Sequence, residues 1–160
     1  MEQQNIVKED EYYTPKSAWE AISKFIPKDK IIWEAFYSPH SKSSQYLEEL
    51  GFQVISKNRD FFKKNYGDII VSNPPFSKKR EVLERLYKLQ KPFILVLPVT
   101  CIAAQYFQDT FKNEPIQLIV PCKRIEFEYK GKKKNRCGFS CMYVCWKINL
   151  EKDINFIGKS

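Results

Sequence analysis

The chain has 160 residues, enough for one domain with a buried core, and 43% hydrophobic with 15% aromatic residues supplies the apolar material for it. That composition excludes a chain disordered beyond its ends, and no apolar run is long enough to cross a membrane as a helix. Twenty-seven basic residues against nineteen acidic give a net charge of +8 and a pI near 9.2, a balance that suits a polyanionic partner.

Residues 1–9 are polar and read as a flexible start, residues 10–150 as a single domain, and 151–160 as a tail. Thr14 before Pro15 reads as an N-cap followed by proline at the first helical position, opening a helix that runs to about Ile26. Ala18, Trp19, Ile22 and Phe25 or Ile26 share its apolar face, and Pro27 ends it. Lys30 to Ala35 is the first central strand. A helix follows from about Ser43 to Leu50, with Gly51 at its C-cap, and Phe52 to Ser56 is the second strand. Strand, helix, strand in this order predicts a right-handed crossover of a parallel sheet.

The third strand carries the sharpest signal. Asp68 to Ser72 is a short apolar run that stops at Asn73-Pro74-Pro75-Phe76. Two prolines cannot donate backbone hydrogen bonds, so the chain must leave the sheet as a rigid loop holding an amide and an aromatic ring. A helix from about Ser77 to Gln90 follows, with Lys78, Lys79 and Arg80 crowding a first turn whose dipole they oppose. Pro92 to Leu97 reads as a strand buried on both faces, and 101–112 as a further helix. The last third is β-rich: Ile116 to Val120, then Arg124 to Tyr129 and Phe139 to Trp146, the last two joined by a lysine-rich connection and expected to pair as an antiparallel hairpin.

Five cysteines without a CxxC pair, and no signal-peptide pattern at the start, point to reduced thiols in a cytoplasmic or nuclear setting and not to secretion. Cys137, Cys141 and Cys145 would share one face of a strand. His40 is distant in sequence, so small hydrophobes in a sheet are expected there and no metal site.

In order from Asp10 to Ile148, these segments resemble the small class I adenine amino-methyltransferases of phage and large-virus type. Asp10-Glu11-Tyr12-Tyr13-Thr14-Pro15 is similar to that family's N-terminal cofactor motif, and Ile32-Trp33-Glu34-Ala35-Phe36 to its first-strand motif. Asp60-Phe61-Phe62 and Asn73-Pro74-Pro75-Phe76 resemble the next two, and Phe139-Ser140 with Met142-Tyr143 its closing strand. The resemblance implies an α/β, Rossmann-like class I methyltransferase fold, a mostly parallel sheet with a C-terminal antiparallel hairpin. It also implies S-adenosyl-L-methionine as cofactor, held by Tyr12, Tyr13, Thr14, Pro15, Glu34, Phe36, Asn58, Asp60, Phe61 and Asn73 at the carboxyl ends of the first and second strands.

Catalysis would rest on Asn73, Pro74, Pro75 and Phe76. The Asn73 side-chain carbonyl and the Pro74 backbone carbonyl would accept hydrogen bonds from adenine's exocyclic amine, and Phe76 would stack on a base drawn out of DNA, or of RNA. Lys78, Lys79, Arg80, Lys132, Lys133, Lys134 and Arg136 are the expected nucleic-acid contacts. The sequence departs from the family pattern at the turn after Glu34, which has no glycine, and after the second strand, where Asn58 stands in place of an acid. The loop between Ser56 and Gly67 is short for the usual extra helix and strand, which implies a sheet that lacks an edge. No segment forms a separate target-recognition domain, so loops, a partner subunit or a homodimer would supply selectivity. Two other readings stay open at this level: a catalytically silent nucleic-acid-binding subunit, and a protein glutamine methyltransferase.

Overall fold

A computed structural model describes residues 12–36, 41–56, 60–129, 132–133 and 140–158. Seven strands form one sheet in the order β2-β1-β3-β4-β8-β5-β9: β1 is Ile32–Trp33, β2 Val54–Ile55, β3 Ile69–Ser72, β4 Phe93–Pro98, β5 Gln117–Pro121, β8 Cys141–Trp146 and β9 Ile154–Ile157. The pairs β1–β2, β1–β3, β3–β4 and β5–β9 are parallel, whereas β8 lies antiparallel between β4 and β5. The protein is therefore an α/β fold with a mostly parallel sheet, of the Rossmann-like kind seen in methyltransferases. Among the described residues no strand lies beyond β2.

The helices cover both faces. On one face α1 (Lys16–Glu20) and α2 (Ser43–Glu49) bring Trp19, Ile22, Ile26 and Leu47 onto Ile32, Val71, Ile94, Val96, Tyr143 and Cys145. On the other, α3 (Lys79–Leu89) and α4 (Gln105–Phe111) bring Val82, Leu83, Leu86, Phe107 and Phe111 onto Trp33, Ile70, Leu95, Val144 and Trp146. Alternation along each strand assigns residues to the two cores, as the period-2 pleat requires. Gly51 at φ +99° closes α2, donating its N–H to the Glu48 carbonyl.

Four expectations need correction. The first helix stops at Glu20 and continues as a 3-10 turn over Ser23–Phe25, where the Ser23 hydroxyl donates to the Glu20 carbonyl and competes with the helical ladder. Thr14 is not its cap. Pro15 occupies that place with extended backbone (ψ 161°), because Tyr13 exchanges two backbone hydrogen bonds with Glu128, 3.0 and 2.8 Å, and keeps the chain extended up to the helix.

Among the described residues the expected hairpin between Arg124–Tyr129 and Phe139–Trp146 is not found. β6 (Glu128–Tyr129) pairs instead with β7 (Lys132–Lys133), while β8 enters the main sheet, where its fully buried CMYVCW sequence finds apolar cover on both faces. The stretch expected as a tail supplies β9, with Ile154 and Phe156 exposed on one face.

Candidate active site

The chain starts β2 on one side of β1 and then crosses to place β3 on the other, so the sheet's order reverses between β1 and β3. The first strand, one of the two whose carboxyl ends are expected to hold the cofactor, flanks this reversal. Open parallel sheets bind ligands outside the carboxyl ends of the strands at such a reversal. Here those ends carry Glu34 and Ser72-Asn73.

Glu34 is buried at 2% exposure, and its Oε1 accepts hydrogen bonds from the Ser72 hydroxyl at 2.6 Å and from the Phe36 N–H at 3.0 Å. Ser72 thus ties the two strand ends together across the reversal. The next residue, Asn73, donates its side-chain Nδ2–H to the Tyr12 carbonyl at 2.9 Å. That bond fixes which way the amide faces. The other amide atom, Asn73 Oδ1, is buried and accepts no hydrogen bond among the described residues. The Thr14 hydroxyl is likewise buried and unpartnered. Orphaned buried polar atoms are rare in folded proteins, and these two fall in segments that the Asn73–Tyr12 bond brings together; Trp33 Nε1 is the third among the described residues.

Hydrogen bonds thus join Phe36 and Ser72 to Glu34, and Asn73 to Tyr12, the two groups being linked through the Ser72-Asn73 peptide, with Tyr13, Thr14 and Pro15 following Tyr12 directly. The Tyr13–Glu128 bridge holds this N-terminal segment over the strand ends. Glu128 also accepts a 3.4 Å bond from the Tyr46 hydroxyl, whose pKa is raised first by burial and then by the Glu128 charge.

The aromatic residues sort into two groups. Phe61, expected beside the cofactor, is buried between Trp33 and Phe36, with ring centroids 5.7 and 4.9 Å away. Phe76 is 7% exposed and packs edge-on against Phe127 at 6.4 Å, and Phe127 meets Tyr12 edge-on at 5.9 Å. Phe76 thus lies in the core, backing the half-buried Tyr12 ring through Phe127. Pro74 is buried, and the Pro75 carbonyl accepts the Lys78 N–H at 2.9 Å, turning the loop into α3.

Other expected residues stand apart from this cluster. Asp60 is exposed and pairs with Lys63 at 3.6 Å. Lys79 donates its Nζ to the Phe76 carbonyl at 3.2 Å and so braces the loop, while Arg80 is turned to Glu84 at 3.0 Å on the outer face of α3. Lys78 is exposed. Asn58, Lys134 and Arg136 lie outside the described residues, as do the side chains of Lys132 and Lys133. Sequence reasoning missed Ser72, Phe127 and Glu128; all three act through partners distant in the chain, and no local pattern marks them. Among the described residues no group of His, Cys, Asp and Glu could hold a metal ion.

Over 63 residues the chain is 38% identical to the Type II methyltransferase M.EcoRI of Escherichia coli, a match covering 39% of this chain and 19% of that protein. The chain thus spans about a fifth of the length of the relative it matches. No family model matches the chain, and no solved structure does. The matched stretch supports a methyltransferase relationship for a sheet whose order and site geometry are compatible with one.

Proposed function

We propose that this chain transfers a methyl group to the exocyclic amine of adenine in DNA, using S-adenosyl-L-methionine. The observation that carries the reading is the Asn73 amide: Nδ2 is anchored to the Tyr12 carbonyl, and Oδ1 is buried at the strand reversal with no partner among the described residues. Its partial negative charge is aimed and desolvated before any substrate arrives. An acceptor held this way takes a hydrogen bond from the amine, and that bond strengthens as the nitrogen becomes pyramidal and positive. The Pro74 carbonyl is the second acceptor in this reading, held by a loop whose prolines leave the backbone little freedom.

The residues at the reversal fit the cofactor in chemistry: a buried carboxylate at Glu34 for an amino group, the Thr14 hydroxyl, unpartnered among the described residues, and an aromatic wall at Phe36 backed by the buried Phe61. Bound there, it supplies an electrophilic methyl group. Asn73 orients the amine nitrogen toward that methyl, and the Tyr12 face, backed by Phe127 and Phe76, borders the adenine ring. No strong base is required, because the methylated amine loses its proton readily once positive. Holding the reactants in line accounts for most of the rate.

The test is transfer of labelled methyl to separate pools of DNA, RNA and protein. Wild type labels DNA, and Asn73→Ala falls by two orders of magnitude or more, the usual scale for losing one such acceptor. Equal labelling by the mutant removes Asn73 from the mechanism. Label confined to RNA or to protein would assign the same loop to those substrates, and failure to bind the cofactor in calorimetric titration would leave a silent nucleic-acid-binding subunit.

A further inference from the structure

A groove of about 550 Å³ opens between the turn at 61–63 and α3, lined by Phe62, Lys78, Glu81, Glu84, Arg85 and Lys88. Both walls are direct continuations of the proposed site. Lys78 is the N-cap of the helix that follows Asn73-Pro74-Pro75-Phe76, and Phe62 follows Phe61, whose ring packs on Phe36 two residues after Glu34. The Phe62 ring is thus linked to the strand reversal by packed rings, meeting Phe61 at 5.2 Å, which in turn meets Phe36 at 4.9 Å.

Its chemistry is that of a strand-binding platform. Phe62 is 43% exposed, although its neighbour Phe61 is buried and meets it edge-on at 5.2 Å, so one ring anchors the turn and the next is presented to solvent. The turn is fastened to α3 by Arg85, whose guanidinium donates to the Phe61 carbonyl at 2.9 Å and the Lys64 carbonyl at 3.2 Å. Three cations line the groove against two carboxylates, and one of those carboxylates, Glu84, is already paired with Arg80 outside it.

We propose that this groove binds the single-stranded DNA next to the target adenine, one flanking base stacking on Phe62 and its phosphates lying along Lys78 and Lys88. An exposed, preorganised aromatic ring beside basic side chains holds single strands largely without regard to sequence, because every base offers a π-face. The inference rests on the methyltransferase reading above, and it supplies that reading with a grip on the strand beside the target adenine.

The experiment titrates a labelled adenine-containing DNA oligonucleotide, by fluorescence anisotropy at several salt concentrations, with wild type, Phe62→Ala, Phe62→Trp and Lys88→Gln. Circular dichroism and thermal melting verify folding, and methyl transfer is measured in parallel. Phe62→Ala is expected to bind at least about fivefold more weakly and Phe62→Trp to restore binding, as for loss and return of one stacked base. Lys88→Gln should lower the slope of log affinity against log salt by about 0.7, one single-strand phosphate contact. If folded Phe62→Ala and Lys88→Gln both bind and methylate as wild type does, the groove is not the strand site and the methyltransferase reading stands. If wild type itself binds no strand and labels no DNA, both fall together.

Discussion

At the scale of single residues, the features that hold the site differ from those that announce it. Asn73 is legible in sequence because the two prolines after it punctuate a strand end, a purely local signal. Lys91 is not. It sits in an ordinary basic stretch, yet it is 5% exposed, and its Nζ donates to Asn65 Oδ1 at 2.7 Å and to the Tyr66 and Gly67 carbonyls at 2.8 and 2.6 Å, with the Trp33 ring 5.9 Å away. Burial lowers its pKa, opposed by the charge of Asp68. Its acceptors lie 24 to 26 residues back in the chain, where no periodicity reaches. Lys91→Met keeps the stem and removes three donated bonds, leaving acceptors beneath β3 unsatisfied. A loss of about 1–3 kcal/mol in urea unfolding is expected, with the denaturant slope unchanged.

At the scale of elements, the sequence pattern located the central strands, α2 and α3 to within a residue or two, because hydrophobic period and proline or glycine stops are written locally. By contrast, α1 ends at Glu20 instead of about Ile26, and α4 begins at Gln105 after a 3-10 turn over Val99–Ala103. Pairing partners were less legible. Arg124–Tyr129 and Phe139–Trp146 have the composition of a hairpin, but composition does not say which edge a strand will meet, and β4 offered β8 six register positions with full burial. The turn into β3 shows how tightly one element depends on the next. Gly67 has φ +67°, and a β-carbon there would lie 2.9 Å from the Ile31 carbonyl oxygen, which accepts the Asp68 N–H at 2.7 Å; the Asp68 carboxylate accepts the Ile31 N–H at 2.8 Å in return. Gly67→Ala combines a left-handed conformation with a backbone clash. It should cost upward of about 1–2 kcal/mol and lower the melting temperature, whereas alanine at Gly51, where a β-carbon meets nothing within 4 Å, should carry the conformational part alone.

For the whole molecule, the two apolar cores are joined by a sheet whose central antiparallel strand comes late in the chain. β8 provides both neighbours' hydrogen bonds at once, and all six of its residues are buried. A chain ending at residue 140 should therefore collect in the insoluble fraction instead of forming a smaller folded unit, since β4 and β5 would each present an apolar open edge; recovery of a soluble, cooperatively melting fragment would show that the parallel half stands alone. The Tyr13–Glu128 bridge carries a similar dependence to the candidate site. Its two halves are separated by most of the chain, so a nascent protein leaving the ribosome has made the Asn73 loop and the Thr14 segment long before it can lock one over the other. Until residue 128 emerges, the segment whose Tyr12 carbonyl fixes the Asn73 amide has no Glu128 backbone to pair with, so the geometry of the site depends on a late part of the chain.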